Sequence, residues 1–251
     1  MIAAVMYVLN EADIIGDSIT NLLEEGVERV YIALGPCTDD TLGAIATVGP
    51  ELAGGKAINL FHDRSSIARQ QHWTDKLSHR AFEEGASWIL PVDADEFWGS
   101  TLDGVTIADA LNNYTGSLDT ICQADLYHHN TRELKVLPVE RLPKVAYRAS
   151  LSTQIGPGNH SVSGVVERGI TLSGLLEVRH YQYRSFVHFS RKAQERNRTL
   201  SHESRMRGDG VHHTMLEGAD DASLLARWHE LQNRETVHDP IPFYSRHGLN
   251  P

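Results

Sequence analysis

The first hundred residues alternate four times between a short apolar run and a segment of helical spacing, and few folds accept that rhythm. Ile2 to Leu9 is continuously apolar, as a strand covered on both faces must be. Asn10-Glu11 ends it, and Asp13 can cap or charge the next helix. Ile14, Ile15, Ile19, Leu22 and Leu23 then recur at helical spacing before Gly26 stops the helix. Val27 to Leu34 predicts a second strand, followed by the polar loop Gly35-Pro36-Cys37-Thr38-Asp39-Asp40-Thr41 and a helix from about Thr41 to Val48. Ile58 to Phe61 reads as the third strand. Ser65 or Ser66 is placed to cap a long helix reaching about Glu84, with Gly85 closing it. Short connections between alternating strands and helices predict an α/β fold, a doubly wound, mostly parallel sheet flanked by helices.

The fourth strand carries the chemistry. Trp88 to Val92 is apolar and runs into Asp93-Ala94-Asp95-Glu96. If the strand continues, Asp93 and Asp95 leave one face roughly 7 Å apart. Two hard oxygen ligands at the mouth of an apolar strand suit Mg²⁺ or Mn²⁺, and two carboxylates leave open positions for diphosphate oxygens. Acids after a strand also serve as plain helix caps, so the rest of the chain must decide. In a doubly wound sheet, ligands gather beyond the carboxyl ends of the strands. Asn10-Glu11, Asp39-Asp40 and Asp93-Asp95 are therefore expected to converge on one crevice.

The second half follows no such alternation. Thr106 to Tyr114 reads as a short helix, and Asp119 to His129, Lys144 to Arg148 and Leu175 to Tyr183 as strands. The loop Gly156-Pro157-Gly158-Asn159-His160 lies among them. Ser185 to about Arg205 and Asp221 to Glu235 read as helices, and the tail from Asp239 holds Pro240 and Pro242.

Composition narrows the function. A net charge of −10 argues against a nucleic-acid binder, which shows a basic face. It leaves anionic ligands open, because a bound dication reverses the local field. The two cysteines, Cys37 and Cys122, have no metal-type spacing and suit reduced thiols in a cytosol. No run approaches the roughly 20 apolar residues of a membrane span. Met1 to Leu9 lacks a basic flank and a cleavage site, so it is read as a core strand. Among fourteen histidines, the adjacent pairs His128-His129 and His212-His213 make poor chelates, since neighbours on a strand face opposite ways. The expected location is cytoplasmic, with peripheral contact to a membrane left open.

Four segments together resemble the family 2-like glycosyltransferases of the GT-A fold. Val8-Leu9-Asn10-Glu11-Ala12-Asp13-Ile14-Ile15 is similar to the family's opening strand and turn. Gly35 to Thr41 is similar to its Ser/Thr-Asp-Gly-Thr loop, with Asp40 where glycine is usual. Trp88 to Phe97 matches an Asp-x-Asp-Glu-Phe segment. His180-Tyr181-Gln182-Tyr183-Arg184-Ser185, with Phe189 and Lys192, is similar to a His-Tyr-x-x-Arg-Ser element. The likeness covers about residues 1 to 200.

The resemblance implies a GT-A-type sheet with a mixed C-terminal half. It also implies a catalytic domain over 1–205, divided into a nucleotide-binding half (1–100) and an acceptor and metal half (101–205). A helical extension and tail over 206–251 would follow. The implied activity is metal-dependent transfer, with inversion, of a sugar from a nucleotide donor, UDP-sugar first, to the hydroxyl of an unknown glycan, protein or small-molecule acceptor. Asn10, Glu11 and Asp39 would then hold base and ribose, and Asp93 would sit near ribose and metal. Asp95 would ligate Mn²⁺ or Mg²⁺, with His180 as a third ligand, and Arg184 would clamp the diphosphate. An inverting transfer needs a base for the acceptor proton. Glu96 and His160 are both candidates, and Glu96 could instead orient the site.

Three other readings are weaker. A phosphatase-type Asp-x-Asp nucleophile wants Thr or Val where Phe97 stands, on the first strand. A sugar nucleotidyltransferase wants a glycine-rich basic loop where Asn10-Glu11-Ala12-Asp13 stands. A nucleotide-sugar binding protein without transferase activity would bind UDP and release no sugar.

Overall fold

The computed structural model describes residues 1–49, 56–66, 68–114, 120–128, 135–136, 143–164, 170–199, 219–233 and 237–238. His129, the His212-His213 pair, Val165 and the tail from Asp239 lie outside these. The chain divides into two compact units. One holds Met1–Ser65, Arg69–Leu126 and Glu140–Val178; the other holds Ser66–Ala68, Tyr127–Val139 and Arg179–Pro251.

In the first unit β1 (Ile2–Val8), β2 (Arg29–Leu34), β3 (Ala57–His62) and β4 (Trp88–Pro91) alternate with helices α1 (Ile15–Glu24), α2 (Thr41–Val48) and α3 (Gln70–Glu83). Further along come β5 (Glu96–Ser100), α4 (Ile107–Asn112), β6 (Thr120–His128), β7 (Lys135–Val136) and β8 (Lys144–Arg148). A two-stranded ladder, β9 (Gln154–Ile155) with β10 (Val162–Ser163), and the long β11 (Ile170–His180) complete the run. The main sheet has the order β3-β2-β1-β4-β8-β6-β11-β5. β1 pairs in parallel with β2 and β4, and β2 with β3. β8 runs antiparallel to β4 and to β6. The α/β class, with a parallel half and a mixed half, is thus as the sequence pattern requires.

Every residue of β1 is buried or nearly so, which explains its unbroken apolar run. Gly26 ends α1 at a φ of +86°, and a Cβ there would stand 2.5 Å from that of Ala108. Only glycine meets both demands. α1 also buries Ser18 and Asn21, spaced three apart on one face. Ser18 Oγ donates to the Glu96 carbonyl at 3.0 Å, and Trp98 N donates to Asn21 Oδ1 at 3.0 Å. These two polar side chains seat β5, the strand that follows the acids.

Two helix starts differ from the sequence expectation. α1 begins at Ile15 with no side-chain cap; the Glu11 carbonyl accepts from Ile14 N and Ile15 N instead of Asp13 capping. α3 begins at Gln70, not at Ser65 or Ser66. Asp63 explains that delay. Its carboxylate takes Ser65 N at 3.0 Å and pairs with Arg69, which keeps the intervening chain out of the helix.

The second unit has its own core. Helix α5 (Phe186–Thr199) and helix α6 (Asp221–Gln232) pack through Phe189, Ala193, Leu224 and Leu231. Phe189 meets Tyr183 edge-on at 5.0 Å, and Trp228 lies 5.8 Å from it. β7 pairs antiparallel with β12 (Val237–His238). Arg179 stacks on Tyr127 at 4.1 Å.

Candidate functional site

The strand order places β1 between β2 and β4, so chain direction along the sheet reverses between β1 and β4. That is the switch point where α/β sheets open a crevice. Asn10 and Glu11 follow the end of β1, and Asp93 and Asp95 follow the end of β4. Asp39 follows the neighbouring β2. The expected grouping of these residues at one edge holds.

Asn10 has a φ of +55°, and its backbone is buried with it. Asparagine tolerates this left-handed region better than other residues with a Cβ. Its Oδ1 accepts from Thr38 N at 2.6 Å and Asp39 N at 3.3 Å. Asp39 returns the link: Oδ2 accepts from Ala12 N at 3.2 Å, and Oδ1 from Thr41 N at 3.1 Å and from the Thr41 hydroxyl. Thr41 Oγ1 accepts in turn from Glu11 N at 3.0 Å. The two loops are laced through backbone amides. Asp40 keeps a negative φ of −85°, so the loop does not need glycine there. Cys37 receives Asn10 N at 3.4 Å, and burial pushes its thiol above the ordinary pKa, which marks it as inert.

The acidic segment is not a strand. β4 ends at Pro91, Asp93 to Asp95 form a turn, and β5 starts at Glu96. The shared-face spacing expected of Asp93 and Asp95 therefore does not apply. Asp95 is 3% exposed and Glu96 fully buried. Glu96 Oε2 accepts from Asp93 N at 3.1 Å and Trp98 Nε1 at 3.2 Å, closing the turn on itself.

Lys144, from β8, supplies the missing charge. Its ammonium lies 2.8 Å from Asp93 Oδ2, 2.6 Å from Glu96 Oε1 and 2.7 Å from the Gly158 carbonyl. It donates hydrogen bonds to Asp93 and Gly158 and faces Glu96 as an ion pair. Burial alone would push its pKa down, but the Asp93 and Glu96 carboxylates more than reverse that and hold it above the ordinary lysine value. Asp93 Oδ1 also accepts from Gln70 Nε2 at 2.7 Å and Asn159 Nδ2 at 3.0 Å. Asp93 is thus gripped by three side chains from three elements, with its outer edge still exposed.

His160 sits in the same loop as Asn159, which has a φ of +62°. Among the described residues, Asn10 and Asn159 alone combine a side chain with positive φ, and both serve the loops at this edge. His160 Nδ1 lies 3.1 Å from the Pro143 carbonyl. A carbonyl only accepts, so this contact needs Nδ1 as its donor.

His180 and Arg184 belong to the second unit. Arg184 Nη1 donates to the Tyr181 carbonyl at 3.0 Å, and Nη2 lies 2.9 Å from His188 Nε2. Arg184 is buried at 9% exposure.

Sequence reasoning missed Lys144, Gln70 and Asn159. Lys144 did leave a signal: it opens the apolar run Lys-Val-Ala-Tyr and shares a strand face with buried Ala146. A lysine on a buried face demands an anion. Gln70 and Asn159 left none.

A hard divalent cation fits the oxygens of this turn. Asp95 is a buried carboxylate to which Lys144 gives no hydrogen, and Asp93 retains an exposed edge. Three carboxylates, Asp93, Asp95 and Glu96, stand within four residues of chain here.

No family model matches the chain, and no curated protein matches it. Solved structures do. TarS 1–349 of S. aureus in complex with UDP superposes at a TM-score of 0.48 and 12% identity, over 92% of this chain and 78% of that one. TarS of S. aureus gives 0.42 and 11%, over 76% of this chain and 39% of its own length. Glucosyl-3-phosphoglycerate synthase of Mycobacterium tuberculosis, with Mn²⁺, UDP-glucose and phosphoglyceric acid, gives 0.34 and 13%, over 51% and 44%. Likenesses this distant decide no residue's role; the geometry of the chain's own loops carries the functional reading. Among the described residues no helix is long and apolar enough to cross a membrane.

Proposed function

We propose that this chain is a metal-dependent glycosyltransferase of the GT-A kind, moving a sugar from a nucleotide donor to an acceptor hydroxyl with inversion. UDP-sugar is the first donor to test. The observation that carries the reading is the switch point itself. On one flank stands an amide-laced cradle, Asn10, Glu11 and Asp39. On the other stands an acidic turn, Asp93 to Glu96. A nucleoside needs the first and a metal-bound diphosphate the second.

In this reading the first-strand and second-strand loops hold base and ribose through Asn10, Glu11 and Asp39. Asp93 orients the ribose side, and Asp95 holds Mn²⁺ or Mg²⁺. The metal, when bound, supplies charge stabilisation to the departing diphosphate. His160 is the candidate base for the acceptor proton. Glu96 keeps the turn closed, because its buried carboxylate is already committed to Lys144, Trp98 and the Asp93 amide. The metal-ligand part for His180 and the diphosphate part for Arg184 rest on the resemblance alone and are tested by His180→Ala and Arg184→Lys.

Titration calorimetry with UDP, with and without Mn²⁺, on the native chain and on Asp95→Ala tests the reading. Metal-dependent binding that Asp95→Ala abolishes supports it. Binding indifferent to metal and to that substitution overturns it.

A further inference from the structure

We infer that Lys144 is a built-in competitor of the metal: it makes divalent-cation binding at the acidic turn depend on the arrival of the anionic ligand. The inference rests on the donor-site reading only for the identity of that anion.

The ammonium is 3% exposed and bonded to Asp93, Glu96 and the Gly158 carbonyl at once. Two hydrogen bonds and a buried ion pair hold it in place. A dication that shares the Asp93 carboxylate must therefore approach a fixed positive charge. Two like charges a few ångströms apart in a partly buried site repel strongly. Lys144 thus lowers the affinity of the empty turn for any divalent ion. A bound diphosphate adds negative charge beside the turn and tips the balance back. Metal and nucleotide then help each other to bind, by the same factor in each direction. In a cell where divalent ions are abundant, the turn stays free until a donor comes.

Lys144 is a positioning residue here. It touches Asp93 and Glu96, not the reacting atoms. A purely structural role for Lys144 predicts that removing it weakens every ligand; the competitor role predicts that removing it strengthens metal binding. The signs are opposite.

The clean comparison removes the lysine without stranding a buried charge. Glu96→Gln alone keeps the Lys144–Asp93 pair, and the double variant Lys144→Met/Glu96→Gln removes it while leaving Glu96 neutral. Mn²⁺ is titrated alone, with the free ion followed by electron paramagnetic resonance, and then again with saturating UDP. Lys144→Arg, which keeps the charge, should stay at the native affinity. The expected result is Mn²⁺ binding at least tenfold tighter in the double variant than in Glu96→Gln, with UDP improving it less than in the native chain. Equal or weaker Mn²⁺ binding in the double variant overturns the inference, as does the absence of saturable binding in both. Lys144→Gln/Glu96→Gln repeats the test with a polar side chain, should the Met variant fail to fold by circular dichroism. Failure of UDP to bind the native chain would instead sink the donor-site reading, and the comparison with Mn²⁺ alone would still stand.

Discussion

Two loops at the same sheet edge bury their polar groups by different means. The Asn10–Asp39 pair of loops is held by backbone amides: every acceptor that matters faces an N–H or a hydroxyl, and no cation takes part in the bonds described. The Asp93–Glu96 turn adds to its neutral bonds from Gln70, Asn159 and Trp98 one buried ammonium that serves two carboxylates and a carbonyl. Amide lacing spreads its stabilisation over many modest bonds, each worth about 1 kcal/mol net. The turn concentrates its ionic share in one side chain. The first arrangement suits a neutral ring that must be read by shape. The second suits charge that changes during a reaction, because a single residue sets the field.

The largest effect should come from breaking the concentrated site. Lys144→Met leaves a fully buried Glu96 and a partly buried Asp93 without their cation, which costs about 3–5 kcal/mol, equivalent to a fall of roughly 10 °C in melting temperature for a chain of this size. Adding Glu96→Gln should restore most of that, since neutral groups in place of a buried pair are often tolerated. Urea unfolding of the three proteins decides it; a Lys144→Met variant as stable as the native chain would show that the pair contributes nothing. The pH dependence sharpens the contrast. The folded-state pKa of Lys144 is raised, so its stabilisation is complete below the ordinary lysine value of 10.5 and is lost as pH climbs through the folded value. Tyr31, pushed up to about 12 by burial and by its hydrogen bond to Glu84, loses stability in the same direction from pH 10 upward. Tyr31 is present in both proteins. The difference between native and Lys144→Met above about pH 10.5 therefore isolates the lysine, and that difference should shrink as pH rises.

How far sequence reaches follows from this contrast. The parallel half was legible because β1, β2 and β4 are buried on both faces, and their apolar runs have no other explanation. β8 was legible to its ends, Lys144–Arg148. The acidic residues were legible as a group, but not as a turn. Pro91 has no N–H to continue a ladder, and β4 pairs with β8 only at Trp88 and Ile89, so the strand stops before the acids. β5 was not foreseen, because Ser18 and Asn21, which seat it, lie more than seventy residues earlier in the chain. Lys144 is as remote from its partners: 51 residues separate it from Asp93. A charged residue in an apolar run announces that a partner exists. It does not say which.

The amide-laced cradle should break more gently. Asn10→Ala removes the acceptor of Thr38 N and Asp39 N and forces a φ of +55° on a residue that resists it. The expected cost is about 2–3 kcal/mol, the lost acceptor and the backbone strain together. Asn10→Gly keeps the backbone free and should cost about 1 kcal/mol less. Both should weaken UDP binding more than Mn²⁺ binding, whereas Asp95→Ala should abolish Mn²⁺ binding and, with it, the metal-dependent part of UDP binding. Calorimetric titration of each ligand on each variant would blur the distinction between the two loops if all three lost both ligands equally.

The smallest effect belongs to a third strand-end acid, which combines both devices. Asp63 follows β3 and accepts from Ser65 N at 3.0 Å and from the Tyr7 hydroxyl at 3.3 Å, as the cradle does, and it also pairs with Arg69, as the turn does. Arg69 is 43% exposed on the side chain while Asp63 is covered, so water screens the cation and the amide bears the load. Burial pushes the Asp63 carboxyl up, but Arg69 and the Ser65 amide outweigh it and leave the pKa below the ordinary value. A lowered carboxylate stabilises above its unfolded value of 3.8 and loses that as pH falls through the folded one. Arg69→Gln should therefore cost less than about 1 kcal/mol at pH 7 and begin its acid unfolding at slightly higher pH than the native chain. A loss as large as that of Lys144→Met would mean that exposure does not separate the two ion pairs. The ranking drawn here, from buried ammonium to amide cradle to screened guanidinium, would then fail at its lowest step.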